Sequence, residues 1–134
     1  MVVIQATWNE DGSATVLGRV TGGTNATGSA TGVAGEGKWL KQADLSTITY
    51  AVYDLSSTTP LTPVVSGSLT IASVINDTPQ TANTYWTKDS VGYNFVHDVP
   101  ATAFPTGGHL YRIEYKFTSP GSIVGWGFYE GVAQ

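Results

Sequence analysis

Gly32, Gly37 and Lys38 stand at the spacing of the phosphate-binding loop G-x-x-x-x-G-K-[ST], inside the run GVAGEGKW at residues 32–39. Such a loop wraps phosphates with backbone N–H groups, meets the terminal phosphates with its lysine and holds Mg²⁺ with the Ser/Thr hydroxyl. Trp39 occupies the hydroxyl position, and an indole has no oxygen to give a metal. The flanks argue the same way. A core strand should lead into the loop and a helix should leave it, so that the helix N-terminus faces the phosphates. Here the polar run GGTNATGSAT comes first, and LKQADLSTITYAVYD follows, too short and too β-branched for a long helix. With 16 Gly and 19 Thr among 134 residues, a chance match is unsurprising, and no nucleotide or other cofactor is expected.

The remaining side chains capable of chemistry are few. His97 and Asp98 are adjacent and His109 follows after a turn, which suggests a metal site or an acid–base pair. Neighbours on a strand point to opposite faces, however, so His97 and Asp98 are not expected to share a site. Glu10, Asp11, Glu36, Asp77 and Asp89 sit where turns are expected, and paired catalytic acids need a cleft with matched separation. The chain has no D-x-D-x-D calcium loop and no cysteine, so thiolate chemistry and disulfides are excluded. No metal and no catalysis are expected. The four Trp and seven Tyr offer a different chemistry, since aromatic platforms on β-sandwiches stack against sugars. Trp8, Trp39, Tyr85, Trp86 and Trp126 are the candidates, against the alternative that large aromatics fill a core or a protein interface. Trp126 shares strand parity with Val124 and Phe128 and is expected in the core, whereas Tyr85 and Trp86, in a polar stretch, are expected at the surface.

Strands must position these groups. In residues 109–117, Tyr111, Ile113, Tyr115 and Phe117 alternate with Arg112, Glu114 and Lys116, predicting a half-buried strand with one wet face. Residues 46–54 give a second strand, with Ile48, Tyr50 and Val52 on one side; residues 93–99 and 123–132 give two more. Residues 2–8 and 14–20, joined by Asn-Glu-Asp-Gly, read as a hairpin. Residues 61–75 are expected to hold two short strands hinged near Ser66 and Gly67. No amphipathic helix of useful length occurs. About seven short strands punctuated by Gly and Pro predict one all-β domain over residues 1–134, an antiparallel immunoglobulin-like β-sandwich. The turn before Tyr111, FPTGGHLY, suits the tyrosine corner of that architecture, in which the hydroxyl ties back to upstream backbone. Residues 21–37 form a long Gly/Thr-rich loop, expected to be functional or mobile, with Trp39 marking the return to the body.

Composition bounds the partners. Charged residues are 12% of the chain, about half the usual share, while Ser and Thr number 30. A net charge of −4 with only six Lys and Arg argues against nucleic-acid binding. No stretch approaches the ~20 apolar residues of a membrane-spanning helix, and MVVIQATWNED lacks the basic and apolar regions of a secretory signal.

The runs LSTITYAVYDL and VINDTPQTANTYWTKDSVGYNFVHDVPATAFPTGGHLYRIEYKFTSPG resemble small proteins of tailed bacteriophages and prophages, the immunoglobulin-like domains of tail, baseplate and capsid-decorating proteins. The likeness covers residues 44–132; the glycine-rich segment before Trp39 departs from it. The resemblance implies an adhesive or bracing virion component, made in the host cytoplasm, with no catalytic residues to carry over and with other virion proteins or its own copies as partners. The alternative is a carbohydrate-binding module with a glycan on exposed aromatics. The expected contact is the apolar strand of residues 1–8, through Val2, Val3, Ile4 and Trp8, which can add to a neighbour's sheet. Tyr85, Trp86 and Trp39 come next.

Overall fold

The computed structural model describes residues 2–134, so the Met1 end of the expected N-terminal contact lies outside the described residues. Strand accounts for 49% of the chain and helix for 8%. The first hairpin pairs β1 (Val2–Trp8) with β2 (Ala14–Gly22), in register from Val2↔Val20 to Trp8↔Ala14. Its turn is closed by the Asn9 N–H donating to Ser13 O, with Gly12 in the left-handed region at φ 85°. There follow β3 (Lys38–Trp39), β4 (Thr47–Asp54), β5 (Pro63–Leu69), β6 (Ile75–Gln80), β7 (Tyr93–Val99), β8 (Leu110–Thr118) and β9 (Val124–Val132). Among the described residues, helical turns are confined to Gln42–Asp44, Ile71–Val74 and Ala101–Ala103.

Two antiparallel sheets pack together. One runs β1-β2-β7-β6, with β3 added at the end of β2; the other runs β5-β4-β8-β9. This order is A-B-E-D facing C′-C-F-G, the immunoglobulin-type arrangement. Tyr111, at the start of β8, makes the corner: its hydroxyl accepts from Thr106 N–H at 2.9 Å and donates to Thr106 O at 3.2 Å. Among the described residues the strands number nine rather than about seven. Residues 61–75 hold one strand that passes straight through Ser66 and Gly67, then a helical turn, instead of two hinged strands.

The core follows the alternation. Tyr111, Ile113, Tyr115 and Phe117 of β8 are buried against Ile48 and Val52 of β4 and Val16, Val20 and Phe95 of the opposite sheet. Phe95 meets Tyr115 and Phe117 edge-on at 4.9 and 5.4 Å. Arg112, Glu114 and Lys116 are half-buried rather than exposed, because β8 is a central strand whose outer side chains touch those of β4 and β9. Burial of β2 is almost unbroken along its length. Its inner face meets the second sheet, and its outer face is covered by chain segments that its own residues recruit.

Candidate functional site

The aromatics of β9 are the site's starting point. β9 is an edge strand with an alternating sequence in which Gly125, Gly127 and Gly131 occupy one face with Tyr129, while Val124, Trp126, Phe128 and Val132 occupy the other. Which face turns inward is decided by room. A Cβ at Gly127 would lie 2.5 Å from Ile4 Cδ1 and 2.7 Å from Val2 Cγ1, and one at Gly131 would lie 2.7 Å from Trp8 Cζ3. β1 thus packs directly on the glycine face, and the large side chains are turned to solvent. Trp126 is 50% exposed and Phe128 54%, which corrects the expected core placement of Trp126. Their rings stack at 6.1 Å with planes 10° apart, and Lys116 Nζ stands 5.5 Å from the Trp126 ring.

Cross-strand neighbours extend this face across the sheet. Trp126 is paired with Lys116 and then Thr49; Phe128 with Glu114 and then Ala51; Glu130 with Arg112 and then Tyr53. Arg112 donates from Nε and Nη2 to Glu130 Oε1 at 2.9 and 2.7 Å. Lys116, Glu114 and Trp126 on β8 and β9 are tall, whereas Thr49 and Ala51 of β4 and Ser66 and Ser68 of β5 are short, with Tyr53 closing one end. The step between them leaves an open groove of about 410 Å³, lined by Thr49, Ser66, Ser68, Glu114, Lys116 and Trp126 among others.

The residues singled out from the sequence are placed differently. Trp86 is only 8% exposed: its ring packs on Leu17 and Tyr93, and its Nε1 donates to Asp89 O at 2.8 Å. Trp39 is 5% exposed, and Ile4 is buried in the core. Val2, Val3 and Trp8 are half-buried, Trp8 lying edge-on to Phe104 at 5.4 Å. Tyr85 alone of this set is exposed, next to Gln5, whose side-chain amide donates to Tyr85 O and accepts from Thr87 N–H. The structure brings none of these onto the face of Trp126 and Phe128.

One buried cation explains the displaced aromatics. Arg19, on the outer face of β2, is 3% exposed. Its Nε and Nη2 donate to the two carboxylate oxygens of Glu36 at 2.7 and 3.0 Å, and its Nη1 donates to Asp89 Oδ1 and Gly92 O at 3.0 and 3.1 Å. The guanidinium also stands 5.8 Å from the Trp86 ring. Burial opposes its charge, but the hydrogen bonds it donates to Glu36 and Asp89 outweigh this and raise its pKa. Arg19 thereby folds two loops over β2, one carrying Glu36 and the other carrying Trp86 and Asp89.

Glu36 belongs to GVAGEGKW, so the segment expected to be mobile or functional is an anchored hairpin. Gly28 N–H donates to Trp39 O, Trp39 N–H to Ser29 O and Thr31 N–H to Gly37 O, with a bridge at Ala30↔Lys38. Gly37, at φ 79°, runs so close to Gly22 O that a Cβ would sit 2.4 Å from it. Lys38 is exposed on a two-residue strand, with no helix behind it to face a phosphate.

The histidines do not converge. His97 points into the core, with Nδ1 2.8 Å from the Tyr115 hydroxyl and the Tyr50 ring 4.8 Å away. Burial lowers its pKa to about 4 and raises that of Tyr115, so a neutral imidazole and a neutral phenol share this hydrogen bond. Asp98 faces out and accepts from Thr15 Oγ1, and His109 Nδ1 lies 2.8 Å from Asp54 Oδ2. Among the described residues, no group of three or more His, Cys, Asp and Glu side chains is placed to hold a metal ion.

Compared with protein-family models, with curated proteins and with solved structures, the chain matches none of them.

Proposed function

We propose that this chain is a non-catalytic binding module, a structural or adhesive component of a tailed-phage virion that works through protein–protein contacts made by the outer face of β9. The observation that carries the contact is the row Val124, Trp126, Phe128 and Val132, four large apolar side chains exposed together on an edge strand. Contiguous exposed apolar surface on a folded domain marks an interaction site, and aromatic anchors are what protein interfaces favour. Low charge supports close packing of many copies. The virion setting rests on the resemblance of residues 44–132 to immunoglobulin-like phage domains. Its position as capsid decoration, neck, tail or baseplate accessory follows from the particle that carries it.

The test is to fractionate particles from producing cells and ask whether the chain travels with them. Wild-type chain is expected in the particle fraction. The double variant Trp126→Ser, Phe128→Ser, whose changes lie on an exposed face, is expected to fold and stay free. Chain that never enters particles, or a double variant that enters as well as wild type, contradicts the proposal.

The groove beside Trp126 favours a second reading, a carbohydrate-binding module. An indole next to Thr49, Ser66 and Ser68 hydroxyls, with Glu114 and Lys116 at hand, offers one apolar face and several hydrogen-bonding groups to a sugar. Glycan-array binding abolished by Trp126→Ser, with no particle association, selects this reading over the first.

A further inference from the structure

Sheet edges invite pairing unless something blocks them, and folded β proteins block them with proline, charge, irregular register or covering chain. Three of the four edges here are blocked. β5 opens with Pro63 beside a register slip at Val52/Tyr53. β6 carries Asp77 and Pro79 and pairs with β7 only at Ile75↔Phe95 and Gln80↔Tyr93. β1 is overlaid by the segment that Gln5 clamps at Tyr85 and Thr87. β9 has none of these devices. Its nine residues include no Pro, Lys or Arg, only one charge at Glu130, and an unbroken register with β8 from Leu110↔Val132 to Thr118↔Val124.

The hydrogen-bonding phase of β9 identifies what its free edge offers. Ser119 N–H donates to Ile123 O at one end of the hairpin, and Ala133 N–H to His109 O at the other. Antiparallel ladders alternate, so the odd residues of β9 bond to β8 and the even residues direct their N–H and C=O to the open side. Those even residues, 124 to 132, are also the ones whose side chains form the exposed apolar row.

We infer that a second copy of this chain fills that edge, β9 against β9 in antiparallel register about a two-fold axis at Phe128. This rests on β9 being the contact strand of the proposed function, and it assigns the strand's open edge, beside the exposed apolar row, to a second copy. The strand runs from 124 to 132, so residue 128 is its midpoint and full overlap pairs Phe128 with itself, Trp126 with Glu130 and Val124 with Val132. All these are even residues, so every facing pair is of the hydrogen-bonded type, and the two four-stranded sheets become one of eight strands. The side chains complement one another in rows about 4.8 Å apart from strand to strand. One row reads Lys116, Trp126, then Glu130 and Arg112 of the second copy, placing the copy's carboxylate on the far side of the ring that Lys116 flanks. The next places Phe128 on Phe128, and the third Val124 on Val132 with Thr118 and Leu110 behind them.

Analytical ultracentrifugation of the full chain, together with one engineered thiol, tests this. The mass is expected to double from 14.1 kDa with rising concentration, and Phe128→Lys, which sets two ammonium groups face to face, is expected to abolish the doubling. The chain has no native cysteine, so Phe128→Cys gives a clean readout. Self-paired positions bring Cα atoms to about 5.5 Å, within disulfide range, and the variant should cross-link to dimer much faster than the exposed control Tyr85→Cys. A chain that stays at its monomer mass, with Phe128→Cys linking no faster than Tyr85→Cys, overturns the inference. If that monomer is nevertheless lost from particles on changing Trp126 and Phe128, only the self-pairing falls and the binding face stands. A dimer that never joins particles supports the self-pairing and overturns the virion reading alone.

Discussion

Arg19→Met isolates the contribution of one guanidinium to the packing of two loops. Methionine keeps an apolar stem over Trp86 but removes four donated hydrogen bonds, two to Glu36 and one each to Asp89 and Gly92. The Glu36 side chain, 9% exposed, is then left as a buried carboxylate without its cation. Removing one partner of a buried pair costs about 3 to 5 kcal/mol, and Asp89, a third exposed, recovers part of its loss to water, so the low end applies. About 3 kcal/mol in a domain of this size lowers Tm by roughly 10 °C. Calorimetric melting measures it, and limited proteolysis reports whether the segments 23–37 and 81–92 have come loose. Glu36→Gln, which keeps an acceptor but drops the charge, should cost less. The pH response has a definite sign. The Arg19 hydrogen bond is the chief cause that holds the Asp89 carboxyl below its usual range. A depressed carboxylate contributes stability above its unfolded pKa and loses it as pH falls through the folded value. Arg19→Met should therefore lose stability at neutral pH and show a flatter acid limb. A melting temperature within about 2 °C of wild type, with no new cleavage, refutes the reasoning.

His97 gives a second acid effect. With a folded pKa of about 4 and an unfolded value near 6.5, the unfolded chain binds a proton that the folded chain does not, so stability falls as pH drops through that window, by about 3 kcal/mol in all. His97→Gln, which keeps an acceptor for Tyr115, should remove this dependence in melts taken from neutral to acid pH. Gly127→Ala should destabilise by about 1 to 3 kcal/mol by overpacking against Ile4 and Val2. Gly125→Ala, with nothing within 4 Å of the new Cβ, should leave the denaturant midpoint unchanged. Tyr111→Phe should cost about 1 to 2 kcal/mol, from the two hydrogen bonds its hydroxyl makes to Thr106.

The strands were readable because period-two patterning survives wherever one face is buried, as in residues 111–117. The same pattern fixes two faces without saying which is inward. On β9 the usual preference for aromatics inside pointed the wrong way, because Gly125, Gly127 and Gly131 leave room for β1 to approach and so claim the inner face. Alternating glycines opposite alternating aromatics were the available signal. Trp86 was misplaced because a polar neighbourhood suggests a surface loop, whereas this loop folds over β2. The clue lay in Arg19, a lone charge within the apolar strand ATVLGRV, which demands covering carboxylates from elsewhere in the chain. Glu36 and Asp89 lie 17 and 70 residues away, and no local pattern links them to it.

Residue-resolved amide exchange along β9 tests the central claim most directly, comparing dilute free chain with chain assembled on itself or on a particle. The odd residues Gly125, Gly127 and Tyr129, bonded to β8, should be protected in both states. The even residues Trp126, Phe128 and Glu130 should exchange quickly when free and become protected on assembly. Even amides that exchange equally fast in both states, with new protection appearing instead at residues 2–8 or around Tyr85, would contradict it.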